Sequence, residues 1–100
     1  MNSKYKVRAS FKFDYWEKGV TMESKKSIST IEEAEKEVYH FLHNVIEKIL
    51  NKDGIEVEYD KIIYVPDDYT ATFESGERLF GRLEGKLCNE EGELFIDILG

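Results

Sequence analysis

Residues 29–50 read as one amphipathic helix set between segments that read as strands, and that helix limits what the chain can fold into. Ile31, Ala34, Val38, Phe41, Leu42, Val45, Ile46 and Ile49 recur at three- and four-residue steps, so they line one face. Thr30 with Glu33, or Ser29 with Glu32, has the spacing of a capping box, in which hydroxyl and carboxylate satisfy free first-turn amides. Glu32, Glu33, Glu35 and Glu37 sit near the positive end of the helix dipole. Asn51, Asp53 and Gly54 supply the stop.

The flanking segments alternate. Tyr5, Val7, Ala9, Phe11, Phe13 and Tyr15 interleave with Lys4, Lys6, Arg8, Ser10, Lys12 and Asp14, the period-two pattern of a long strand with one wet face. Residues 17–19 can turn the chain into a weaker strand carrying Val20, Met22 and Ile28, with a polar middle that suits an edge or a loop. After Gly54, Ile55, Val57 and Tyr59 alternate with Glu56, Glu58 and Asp60. The pattern slips at Lys61, and residues 62–65 are apolar on both parities, which predicts a bulge near Asp60 and Lys61 or a strand buried on both sides. Tyr69, Ala71 and Phe73 read as a short strand between turns at residues 66–68 and 74–76. Leu79, Gly81, Leu83, Gly85 and Leu87 share a face of the next strand, with the two glycines expected to permit sheet curvature or close helix packing. A turn at residues 89–92 leads to a last strand with Leu94, Ile96 and Ile98.

The expected fold is therefore α+β: a single helix on one face of a mainly antiparallel five- to six-stranded sheet, in the order β-β-α-β-β-β(-β), as one domain over residues 1–100. The opening hairpin–helix–strand order is similar to that of the β-grasp fold, a resemblance of topology over the first two thirds of the chain. At 100 residues with 41% hydrophobic and 13% aromatic content, one packed core is expected. The single cysteine, Cys88, excludes an intrachain disulfide. No apolar run approaches the roughly 20 residues of a membrane span, and no signal peptide is visible, so a cytoplasmic protein is expected.

The net charge of −7 opposes simple binding to nucleic acid or anionic membrane. The charge is uneven: residues 1–28 carry seven basic and three acidic groups, and residues 29–100 carry seven basic and 18 acidic ones. Basic and acidic strands lying side by side and pairing across the sheet account for that distribution.

The chemical motifs are incomplete. His40, His43 and Glu47 share a wheel sector opposite the apolar stripe; they offer two imidazoles and a carboxylate but no ligand from another element, so they read as a solvated face. Cys88 has no histidine expected within reach. Gly76 and Gly81 have phosphate-loop spacing, but Arg82 and Leu83 stand where the motif needs Lys and Ser or Thr. Residues 51–56 fall short of a calcium loop. Neither cofactor nor metal is expected, and no set of acid, base and nucleophile points to an enzyme.

Two surface features remain. Glu56, Glu58 and Asp60 recur at roughly 6.6 Å along one strand face. Trp16, Tyr64, Phe80, Phe95 and Leu99 are apolar residues on the polar parity: meeting on the open sheet face they would form a patch for a partner or a homodimer, whereas if the sheet curls or the bulge resets parity they belong to the core. The expected function is a non-enzymatic protein-binding module, an inhibitor or adaptor, anchored by Trp16, Tyr64, Phe80 and Phe95 and steered by Glu56, Glu58 and Asp60 toward a partner that could itself bind nucleic acid. In composition the chain is similar to small acidic inhibitors of the anti-CRISPR type carried by phages and mobile elements. The alternative is a nucleic-acid binder with Lys4, Lys6, Arg8 and Lys12 on phosphates and Tyr15 or Trp16 stacking on bases.

Overall fold

The computed structural model describes residues 4–13, 20–52, 54–66, 72, 74–88 and 92–100. Its strands are β1 (Lys6–Phe13), β2 (Val20–Glu23), β3 (Glu56–Tyr59), β4 (Ile63–Tyr64), β5 (Leu79–Cys88) and β6 (Gly92–Leu99). The helical stretch runs through α1 (Ile31–Phe41), a π-helical turn (Leu42–Ile46) and α2 (Glu47–Asn51). The sheet has the order β2-β1-β6-β5-β3, β4 also pairs with β5, and every pairing is antiparallel. The likeness to a β-grasp ends at element order, because β1 pairs antiparallel, not parallel, with the last strand, β6. No helix among the described residues is long and apolar enough to cross a membrane.

The alternating residues of the first strand do what their period requires. Val7, Ala9 and Phe11 are buried and join Leu94, Ile96 and Ile98 of β6 and Leu83 and Leu87 of β5 in one core beneath the helix. Ile28, expected in the second strand, is fully buried but lies beyond β2, forming an isolated bridge with Tyr5. The expected strand around Tyr69, Ala71 and Phe73 falls outside the described residues, although Thr72 bridges to Arg78.

The helix starts as a mixture of the two capping patterns. Thr30 Oγ1 accepts the Glu33 amide at 3.1 Å, while Glu33 Oε2 accepts the Ser29 amide at 3.2 Å. It stops at Gly54, whose φ of 74° is the left-handed conformation that glycine adopts without a Cβ penalty. Its middle departs from expectation. The buried stripe is Ala34, Val38, Phe41, Leu42, Ile46 and Leu50, whereas Val45 is only half-buried and Ile49 is 38% exposed. A regular helix would have continued the stripe to Val45 and Ile49. The π turn accommodates one extra residue and rotates everything after it by about 100°, the angular step of one helical residue.

Two bulges shift the sheet's parity in the same way. On the β3–β4 edge, Tyr59 faces Gly85 but Ile63 faces Arg82, so residues 60–62 oppose only Leu83 and Glu84. This is the bulge announced by the slip at Lys61; the alternative, a strand buried on both faces, is ruled out by the 69% exposure of Ile63. On β5, Leu79 faces Leu99 and Gly81 faces Ile98, leaving Phe80 as the extra residue. Gly81 and Gly85 make room for this edge rather than for the helix. A Cβ on Gly81 would lie 3.0 Å from the Tyr64 ring, and one on Gly85 would lie 3.2 Å from the Glu58 carbonyl.

The π turn generates a direct prediction. Leu50→Ala should lower unfolding free energy by about 2–5 kcal/mol, as expected for a buried leucine. Ile49→Ala should cost well under half as much in the same urea titration. The reverse order would mean that the helix is regular through residues 42–46.

Candidate functional site

The outer face of the sheet, away from the helix, is organised in transverse rows. Strand register places Glu23, Arg8, Asp97 and Arg82 in one line across β2, β1, β6 and β5, with alternating sign. Arg82 grips Asp97 through two hydrogen bonds, of 2.7 and 3.1 Å, and its guanidinium lies 4.8 Å from the centroid of the Phe95 ring. Arg8 is 3.9 Å from Glu23 and forms a second two-pronged pair, at 3.0 and 2.8 Å, with Glu77 from the segment before β5. Lys6 joins Glu77 at 3.5 Å. A second row aligns Glu93, Lys86 and Glu58 across β6, β5 and β3, again with alternating sign. The basic first strand and its acidic neighbours therefore pair across the sheet. The hydrogen bond from Arg8, helped by those from Ser75 and the charge of Lys6, holds the Glu77 carboxyl at about 2, well below the usual carboxylate range.

The residues expected to form one open-face patch are separated. Phe95 lies on the outer face, half-buried beneath Arg82. Leu99 is 1% exposed, on the strand face opposite the main core. Phe80 is turned inward by its bulge, packs on the core, and meets Tyr5 edge-on at 5.2 Å. Tyr64 is turned toward the helix by the other bulge and donates a 2.9 Å hydrogen bond to Glu35. Burial and that carboxylate push the Tyr64 hydroxyl up to about 12. Trp16 and Tyr15 lie outside the described residues.

What the fold does bring together is the β3–β4 edge. Glu56, Glu58 and Asp60 are all exposed there, and Tyr59, Ile63 and Tyr64 are three of the four exposed large hydrophobic residues among those described. Glu56 and Glu58 pair in register with Cys88 and Lys86 on the outer face, while Val57 and Tyr59 pair with Leu87 and Gly85 on the helix side. Partial burial, with the adjacent carboxylates of Glu58 and Glu56, pushes the Cys88 thiol up, which keeps it protonated and poorly nucleophilic.

Along the helix side of this edge runs a chain not evident from the wheel. Glu47 Oε1 is 3.0 Å from His43 Nδ1, and the Tyr59 hydroxyl is 3.3 Å from His43 Nε2. His43 reaches Tyr59 of β3, its ring 5.8 Å from the tyrosine ring, so it does not point away from the sheet as the wheel has it. His40 instead pairs with Asn44 on its own helix at 3.1 Å. An open groove of about 440 Å³ beside the chain is lined by Glu47, Asn51, Gly54, Glu56 and Val57. Among the described residues, no group of three His, Cys, Asp or Glu side chains is arranged to hold a metal ion. On the opposite flank of the helix, Glu37 is 4% exposed and accepts from the Ser24 hydroxyl through Oε2, while its Oε1 has no hydrogen-bond partner among the described residues. Its border position beside Val38 was the only sequence signal for it. Glu77 gave none.

Comparison of the chain with protein-family models, curated proteins and solved structures finds no match.

Because Glu77 titrates lower in the folded chain than in the unfolded one, its contribution is complete above the ordinary carboxyl value of 4.5 and is lost as pH falls toward 2. Thermal melts should therefore show Glu77→Gln losing less stability than the parent chain between pH 4.5 and 2. Parallel decline of the two would show that the Arg8–Glu77 pair contributes nothing to acid sensitivity.

Proposed function

We propose that this chain is a small non-enzymatic protein-binding module that covers a basic surface of a partner protein and acts by steric and electrostatic occlusion. The observation that carries this reading is the β3–β4 edge, where Glu56, Glu58 and Asp60 stand exposed beside Tyr59, Ile63 and Tyr64. Apolar groups supply contact area, and flanking carboxylates accelerate encounter with a cationic partner. Tyr64 belongs to this surface. Phe80, packed on the core, does not, and Phe95 serves the outer face beneath Arg82. An inhibitor or adaptor of the kind carried by phages and mobile elements is the biological role we assign to it.

Two features support this over the alternative and over catalysis. Lys6 and Arg8, the core of the basic strand, are engaged by Glu77 and Glu23, so their charge is already compensated within the chain. The Glu47–His43–Tyr59 chain is solvent-facing beside an open groove, without the dry enclosure that makes such a chain catalytically useful.

A tagged protein should retain a partner from lysate of its source organism after nuclease treatment and release it as salt rises. Reversing charge at Glu56, Glu58 and Asp60 together should slow association with that partner by roughly tenfold at low ionic strength and flatten its salt dependence. Unchanged association rates would remove the acidic edge from the mechanism. Loss of every partner on nuclease treatment would transfer the function to the basic strand.

A further inference from the structure

The β3–β4 edge is also, with β2, one of the two edges at which the sheet's hydrogen-bonding ladder ends among the described residues. The direction of its unpaired groups follows from the register. The Asp60 amide donates inward to the Glu84 carbonyl, which marks residues 60 and 84 as a bonded pair. Bonded pairs alternate in an antiparallel ladder, so Glu58 and Glu56 also bond inward to β5, and the amides and carbonyls of Val57 and Tyr59 point outward. Each outward group has carboxylates as neighbours, those of Glu56 and Glu58 on the outer face of the strand and that of Asp60 at its end. The bulge over residues 60–62 bends the edge, confining regular pairing to the four residues of β3.

Resting on the function proposed above, we infer that β3 receives an extended basic segment of a partner protein as an added strand. Main-chain bonds to Val57 and Tyr59 supply the attachment. Side chains on one face of the incoming strand repeat at roughly 6.6 Å, the spacing of Glu56 and Glu58, so lysine or arginine at alternating positions meets both carboxylates. The intervening residues lie on the helix side against Val57 and Tyr59 and are apolar. A second copy of this chain is a poor occupant. A symmetric edge-to-edge pair sets Glu56, Glu58 and Asp60 against their own counterparts, and the chain's basic strand, β1, is already paired on both sides by β2 and β6.

The test uses the full chain, isotope-labelled, with a blocked hexapeptide of alternating lysine and valine. Saturating peptide should slow hydrogen exchange of the Val57 and Tyr59 amides by at least about tenfold, since both pass from solvent into a ladder. The same peptide N-methylated at alternate residues, with its charge kept, should bind at least about tenfold more weakly, and Glu58→Gln should weaken the parent peptide. Equal binding of the methylated peptide, or binding without protection of Val57 and Tyr59, would overturn strand addition. So would equal protection by a glutamate–valine peptide or by oligodeoxythymidylate. Protection that appears on concentrating the protein alone would identify a second copy as the occupant and overturn the proposal as well. If the peptide fails while charge reversal still slows the lysate partner, strand addition falls and the protein-binding reading stands.

Discussion

Val38, Leu42, Ile46 and Leu50 share one buried cluster with Leu83, Leu94, Ile96 and Ile98, and this helix-on-sheet contact is the interaction on which the rest depends. A lone helix must shield the inner face of strands drawn from every part of the sequence, and that face twists beneath it. The π turn at Leu42–Ile46 reconciles the two. It re-aims the second half of the helix, which buries Leu50 and exposes Ile49.

The outer face is stabilised by different means. With no helix over it, it carries Arg82–Asp97 and Arg8–Glu77 as two-pronged pairs within a row of alternating charge. Such pairs, partly shielded from water and aligned by strand register, specify which strands lie together as much as they add stability. They also decide the sign of the remaining surface. Once Lys6 and Arg8 are compensated by Glu77 and Glu23, the exposed charge at the β3 edge is predominantly that of Glu56, Glu58 and Asp60.

The elements that follow a strict period were readable in the sequence: β1, β6, the helix start at Thr30, its end at Gly54 and the antiparallel α+β arrangement. What escaped were two single-residue insertions, the π turn and the bulge at Phe80, and the extent of a third. The π turn was hidden because Val45, Ile46, Ile49 and Leu50 are all apolar, so either register of the stripe looks amphipathic. The β3–β4 bulge left a trace at Lys61, but its effect on Tyr64 could not be read without its length. The bulge at Phe80 left none, since Leu79 and Phe80 are both plausible core residues. The candidate site suffered accordingly. Its acidic half was visible as an alternating run, while its apolar half was assembled from a parity that two bulges had reset. Long-range partners such as Glu77 for Arg8, 69 residues away, have no local signature.

The extra residue of the π turn gives this helix two admissible lengths. Deleting one solvent-facing residue there, such as Asn44, would close the turn into regular α-helix and bring Ile46 and Leu50 to the α-helical spacing from Leu42 that Val45 and Ile49 now hold. The core would keep every member, and the connection to β3 would absorb an axial shift of about 1.5 Å. Glu47 would instead stand three residues from His43 and lose the spacing at which it now meets the imidazole. A chain shortened in this way would fold alike yet present a differently furnished edge, so recognition could drift between related sequences while the hydrophobic architecture stayed fixed.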